Sequence, residues 1–101
     1  MAIDLFCYST SNSSELEKFI KRMVGDNENL FLQKFFVSMP RDASLVHKEI
    51  ASEFGLEAQS LFLIRVNDKN AVAEISDVVD LVKLCLGKDK VIILWENERL
   101  I

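Results

Sequence analysis

The side chains of this sequence that could do chemistry are few, and their spacing assembles no metal or catalytic site. The chain has one histidine, His47, and two cysteines, Cys7 and Cys85, both within apolar runs. A metal centre needs three or four ligands that one fold can bring together, and a catalytic base needs a positioned partner. We therefore expect no metal, no cofactor and no catalysis. His47 is expected at the surface or boundary of a helix, and the two cysteines as buried free thiols.

Phosphate-binding loops and paired carboxylates are disfavoured on similar grounds. Each of the three glycines stands where a helix is expected to end, so none is left for a glycine-rich loop. Asp77 and Asp80 stand in the first turns of a predicted helix, where carboxylates complement the helix dipole. Both acids are therefore explained without glycosidic chemistry, and the sequence predicts a binding protein rather than an enzyme.

The acidity of the chain is concentrated in its middle third. The formal net charge is −4, and residues 49–80 hold seven acids against two bases, a local balance of −5. Such a segment repels nucleic acid and attracts basic partners, unless its acids are ordinary solvated side chains spread over several faces. The acids are Glu49, Glu53, Glu57, Asp68, Glu74, Asp77 and Asp80.

The last predicted strand places a tryptophan beside carboxylates. The strand ends at Trp95, and Glu96 and Glu98 follow it. This composition is common in protein-binding hot spots, because the ring supplies contact area while the acids attract a basic partner. The alternative is that Trp95 covers the core, as most large aromatic residues do.

Three helices are predicted from apolar residues that recur at helical spacing. The first spans about residues 14–24, with a capping box that begins at Ser14, and Gly25 is expected to close it. The third begins at Ser76, ends at Gly87 and is expected to be the most buried of the three.

The second predicted helix follows Pro40, which ends an extended run. Asp42 or Ser44 caps this helix, and Gly55 ends it. Its expected buried stripe consists of Ala43, Val46, Ile50, Ala51 and Phe54.

Apolar stretches rich in strand-forming residues lie between these helices, with a shorter candidate after a polar turn at residues 67–70. That candidate would pair with the preceding strand as an antiparallel hairpin. We expect an α+β (α/β) fold in one domain, residues 1–101: a mixed, mostly antiparallel sheet of four to five strands packed with three helices, in the order β-α-β-α-β-β-α-β. The predicted strands are residues 2–9, 30–39, 60–67, 71–75 and 90–96.

The first strand has one apolar face and one face on which aromatic residues stand beside an acid. Asp4, Phe6 and Tyr8 share that second face, because successive side chains of a strand alternate. We expect Asp4 near the end of the strand, within reach of water, and the two aromatic rings in a second packed layer. Otherwise the rings form part of a binding face.

Four stretches of the sequence resemble small immunity proteins of bacterial contact-dependent growth inhibition systems. They are AIDLFCYS, the capped helix SSELEKFIKRM, the strand FLIRV and the terminal strand VIILWENE. The resemblance extends over about the whole chain. It implies a cytoplasmic protein that binds a cognate toxin domain, often a nuclease, and inhibits it by covering its active site or substrate groove.

The charge pattern agrees with that role. A nuclease attracts phosphates with lysine and arginine, so acids would steer an inhibitor to the same surface. We expect a basic toxin domain bound 1:1, and neither nucleic acid nor a membrane as a partner. The alternative is a small-molecule-sensing or regulatory α/β module, which would need a pocket with convergent polar groups. The expected toxin-binding residues are Glu53, Glu57, Asp68, Glu74, Asp77, Asp80, Trp95, Glu96 and Glu98.

Overall fold

The computed structural model describes residues 3–31, 34–67, 73–96 and 99–101 and confirms the α+β fold. None of the described helices is long and apolar enough to cross a membrane. The helices are α1 (Ser13–Asp26), α2 (Glu28–Phe31), α3 (Leu45–Glu53) and α4 (Ile75–Leu86). The strands are β1 (Ile3–Ser9), β2 (Phe35–Val37), β3 (Arg41–Asp42), β4 (Ser60–Val66), β5 (Val91–Trp95) and β6 (Arg99–Leu100).

The strands form one sheet in the order β2-β4-β1-β5-β6, and each described pair is antiparallel. The short strand β3 pairs with the end of β4 that β2 leaves free. β1 lies at the centre, because it pairs with β4 along its whole length and with β5 from Leu5 to Ser9. Both faces of β1 and β4 are largely apolar, and a packed layer lies on each side of the sheet.

The larger core lies between one face of the sheet and the helices α1, α2 and α4. Alternate strand residues, such as Leu5 and Cys7 of β1, form its floor. α4 is the most buried described helix, as the sequence predicts. The buried helical residues are Leu16, Ile20 and Met23 of α1, Phe31 of α2, and Ile75, Val78, Val79, Val82 and Leu86 of α4.

α3 packs on the opposite face of the sheet and forms a smaller core there. Tyr8, Leu61 and Leu94 are fully buried against Ala51 of α3 and the loop that follows this helix. Phe6 is half-buried beside them. The predicted second packed layer is thereby confirmed. With nine residues, or about 14 Å, α3 is too short to cover the whole face.

Helix α1 has different ends from those predicted. Asn12, not Ser14, is the N-cap, and its Oδ1 atom accepts a hydrogen bond from the Glu15 N–H at 2.9 Å. Gly25 lies inside the helix, and Asn27 closes it by donating its side-chain amide to the Met23 carbonyl at 2.9 Å. The two predictions are wrong because asparagine caps as well as serine and can also end a helix.

Residues 30–39, predicted as one strand, are divided between α2, β2 and the loop that leads to β3. Phe31 and Phe35 explain the division, because their rings pack edge to face with centroids 6.4 Å apart. Residues four apart in an extended strand are separated by about 13 Å, so this contact is incompatible with one continuous strand through both residues. The predicted strand at residues 71–75 is also wrong where it is described. Ala73 and Glu74 form a 3₁₀ turn that leads into α4, and residues 71–72 lie outside the described residues.

The ends of α3 and α4 agree better with prediction than their buried stripes do. Ser44 caps α3, and Gly55 (φ 83°) and Gly87 (φ 93°) follow the two helices in the positive-φ conformation that glycine tolerates. Val46, expected in the core, is exposed, because His47 lies on the inward side of α3 in its place. Leu84 is 82% exposed, although it belongs to the helix predicted to be the most buried.

Leucine-to-alanine substitutions at a buried and an exposed position test the second core. Leu94→Ala should lower the free energy of unfolding by about 3 kcal/mol, because it leaves a cavity beneath α3. The matched variant Leu84→Ala should change it by less than about 0.5 kcal/mol. Urea titration of both variants provides the measurement. Equal losses would show that the second face carries no packed core.

Candidate functional site

The predicted toxin-binding residues lie on opposite faces of the sheet. Glu53 ends α3 and Glu57 lies in the loop after it, on the side of the smaller core. Glu74 precedes α4, and Asp77 and Asp80 lie on its exposed side, on the face of the larger core. The acidic segment is therefore split between the two sides of the molecule. Two further predicted residues lie outside the described residues: Asp68 and Glu98.

The exposed side of α4 carries acids and one large apolar residue. Asp77, Asp80 and Leu84 lie three and four positions apart, so they share one stripe. Glu74 differs, because its Oε1 atom accepts a hydrogen bond from Lys34 Nζ at 2.7 Å and its charge is balanced locally. A single exposed leucine is ordinary on a protein surface, so the case for docking at α4 also depends on the groove beside it.

A groove open to solvent runs between α4 and the end of β5, with Asp80, Lys83, Trp95 and Ile101 among its lining residues. The half-buried Trp95 packs against the larger core and also borders this groove. Lys83 Nζ donates to the main-chain oxygen of Ile101 at 2.9 Å, which fixes the end of the described chain to α4. We name Asp77, Asp80, Leu84 and Trp95 the α4 surface.

On the other face of the sheet, four cross-strand neighbours lie beyond the end of α3. They are Phe36, Arg65, Asp4 and Glu96, which we name the transverse row. Register places Phe36 beside Arg65 and Arg65 beside Asp4, and the Glu96 N–H donates to the Asp4 carbonyl at 2.8 Å. Phe36 is 58% exposed, whereas Tyr8 on the same face beneath α3 is fully buried.

Two charges of the transverse row, those of Arg65 and Asp4, form an ion pair. Arg65 donates from Nε and Nη2 to the two carboxylate oxygens of Asp4, at 2.9 and 3.3 Å. This hydrogen bonding and the charge of Asp4 raise the pKa of Arg65, and the charge of Glu96 adds to the effect. The pair explains why an acid stands in the apolar strand β1. Phe36 and Arg65 were not among the predicted site residues, although the lone opposite charges of IDLF and LIRV were a signal for the pair.

His47 caps a helix, as its predicted surface position allows. Ser44 Oγ accepts from the His47 N–H at 3.3 Å, and the Ser44 N–H donates to His47 Nδ1 at 3.2 Å. This is a capping box with histidine in the place of the usual glutamate or glutamine. Partial burial, and then the charge of Arg41, lower the pKa of His47.

The cysteines have the properties of packed thiols. Both are free, but only Cys7 is fully buried, while Cys85 is half-buried. Burial raises the pKa of each thiol, the opposite of what a nucleophile needs. Within the described ranges, no three His, Cys, Asp or Glu side chains are arranged to hold a metal ion.

Comparison with known proteins gives the family. The model of the CDI System Immunity Component family matches residues 1–99. The chain belongs to this family. The resemblance predicted from the four sequence stretches is thereby confirmed, and so is the prediction that this immunity component is not an enzyme.

This CDI immunity component is similar to CdiI sequences and structures from Burkholderia pseudomallei. It is 39% identical over 98 residues to Immunity protein CdiI-2 of strain 1026b, covering 97% of each chain. It also resembles a chain of the solved CdiA-CT/CdiI toxin and immunity complex, with a TM-score of 0.93 and 37% identity over 97% of this chain and 95% of that one.

The capping role of His47 predicts a pH dependence. Its pKa in the folded protein lies below the ordinary 6.5, so the unfolded chain takes up the proton first as the pH falls. The contribution of His47 to stability is therefore present above pH 6.5 and should be lost as the pH falls through the lowered pKa. Urea titrations between about pH 8 and about pH 5 measure the loss.

The variant His47→Gln is the matched control, because glutamine supplies the same type of cap without titrating. Subtracting its pH profile removes the contribution of the carboxylates. If wild type and variant lose stability in parallel, the cap does not depend on the protonation state of His47.

Proposed function

We propose that this protein binds a cognate toxin domain in the cytoplasm and neutralises it, and that the toxin is a nuclease. The main support is the similarity, over nearly the whole length of both chains, to a protein solved in a toxin and immunity complex. The α4 surface supports it further, because two carboxylates share one stripe with an exposed leucine, and Asp80 also borders the groove of the half-buried Trp95. Such a surface suits a partner with basic and apolar side chains.

We assign the direct contact to the α4 surface and its neighbours Glu74 and Glu96, and a weaker, long-range role to Glu53 and Glu57. Two packed layers separate the acids of α4 from those near α3, roughly 20 Å at about 10 Å a layer. Solvent-exposed charges are screened over about 8 Å at physiological salt. A partner docked on α4 therefore experiences mainly the α4 acids.

Neutralisation on this proposal requires no chemistry from the immunity protein. A nuclease must leave a basic groove open for its substrate, and a bound protein that covers about 800 Å² per partner closes such a groove. One copy of each protein is sufficient, and the immunity protein contacts neither nucleic acid nor a membrane. The alternative of a small-molecule sensor has less support, because the α4 groove is open to solvent.

Charge reversals on the two sides of the sheet test the assignment. The double variant Asp77→Lys/Asp80→Lys should slow association with the cognate toxin domain about tenfold and reduce its salt dependence. Glu53→Lys/Glu57→Lys changes the net charge equally and should slow association less than about twofold. Stopped-flow measurement at two salt concentrations gives the rates, and thermal unfolding checks that both variants fold. Equal effects would contradict a local contact at α4.

Digestion of nucleic acid tests the class of toxin. The same toxin domain should degrade RNA or DNA, and degradation should stop when the immunity protein reaches an equimolar concentration. A toxin domain that binds the immunity protein but degrades no nucleic acid would contradict the nuclease assignment and leave toxin binding intact. Absence of binding would contradict the proposed function as a whole.

A further inference from the structure

We infer that the toxin interface continues from the α4 surface around the end of β5 onto the transverse row. Phe36 is its apolar anchor, and the Arg65–Asp4 pair is its prearranged polar contact. This inference rests on the proposed function, since it names a second part of the surface that the toxin domain covers.

The end of β5 joins the two surfaces. Trp95 and Glu96 are consecutive, yet Trp95 borders the α4 groove and Glu96 lies in the transverse row. Glu96 has a φ of 53°, in the left-handed region that glycine adopts without cost and other residues adopt with strain. A glutamate therefore occupies a backbone conformation that glycine would adopt without strain. Its Oε1 atom accepts a hydrogen bond from the Asp4 N–H at 3.3 Å, which holds the carboxylate at the row.

Phe36 and Arg65 bring to the row two residue types that are enriched in protein interfaces. Phe36 exposes more than half of its surface, and Arg65 is also exposed, while Phe6 and Leu63 in the next register position are half-buried. Aromatic residues and arginine are enriched in the centres of protein interfaces. The bidentate contact with Asp4 already orders the Arg65 side chain, so less conformational freedom is lost when a partner binds.

The charge of the row matches the proposed partner. Two carboxylates and one guanidinium leave a net charge of −1, which continues the acidity of Asp77 and Asp80 around the edge of the sheet. A basic toxin domain that docks on α4 therefore meets the same sign of charge on both surfaces.

The size of the row indicates that its partner also covers other parts of the molecule. The row crosses four strands, which is about 19 Å. Together with the next register position it extends about 13 Å along the strands, so its surface area is roughly 250 Å². A stable interface covers about 800 Å² on each partner, so a second copy of this chain bound through the row alone would bury too little. A toxin domain that bridges the row and the α4 surface meets the requirement.

The test measures dissociation of the complex with the cognate toxin domain. Phe36→Ala should raise the dissociation rate about tenfold or more, and Arg65→Gln should also raise it. The control Phe19→Ala makes the same chemical change on the exposed side of α1, which packs on the opposite face of the sheet. It should change the rate less than about twofold. Urea titration verifies that each variant is folded.

The outcomes separate this inference from the proposed function. If wild type binds the toxin domain and both variants dissociate at the wild-type rate, the inference is overturned while the proposed function stands. If wild type does not bind the toxin domain, the proposed function fails and the inference fails with it. If sedimentation shows a dimer of the free chain that Phe36→Ala dissociates, the row binds a second copy and the inference is overturned.

Discussion

The alternation of side chains along β1 is the constraint on which the rest of the structure depends. β1 carries large apolar side chains on both of its faces, so each face needs a packed layer over most of its length. Leu5 and Cys7 meet the helices of the larger core, and Tyr8 meets the layer of α3. Asp4 stands where the cover of α3 ends, and it is tolerated there because Arg65 pairs with it and water reaches both.

The two packed layers also separate the acids of the middle segment. Residues 49–80 are contiguous in sequence, but β4 passes through the middle of the sheet, so α3 precedes it on one face and α4 follows it on the other. Local charge in the sequence therefore does not translate into one charged surface. On the α4 surface, Asp77 and Asp80 are exposed acids in the first turns of the helix. Leu84 and Trp95 add apolar contact area beside them.

Helix ends were predictable where one residue type dominates the local geometry, as Ser44, Gly55 and Gly87 show. Prediction failed at α1, where asparagine and serine are equally good caps only two residues apart. It also failed where a tertiary contact decides, as between the rings of Phe31 and Phe35. The family was predictable because the resemblance covers the whole chain. The transverse row was not, because its members come from four segments whose register only the strand order sets.

Hydrogen exchange of the protein, free and bound to its cognate toxin domain, tests the central claim most directly. That claim is that the partner docks on α4 and the adjoining end of β5 and leaves α3 uncovered. The account predicts slower exchange in the complex for amides of α4 and around Trp95, and unchanged exchange for α3. Protection confined to α3 and the loop after it would contradict the claim.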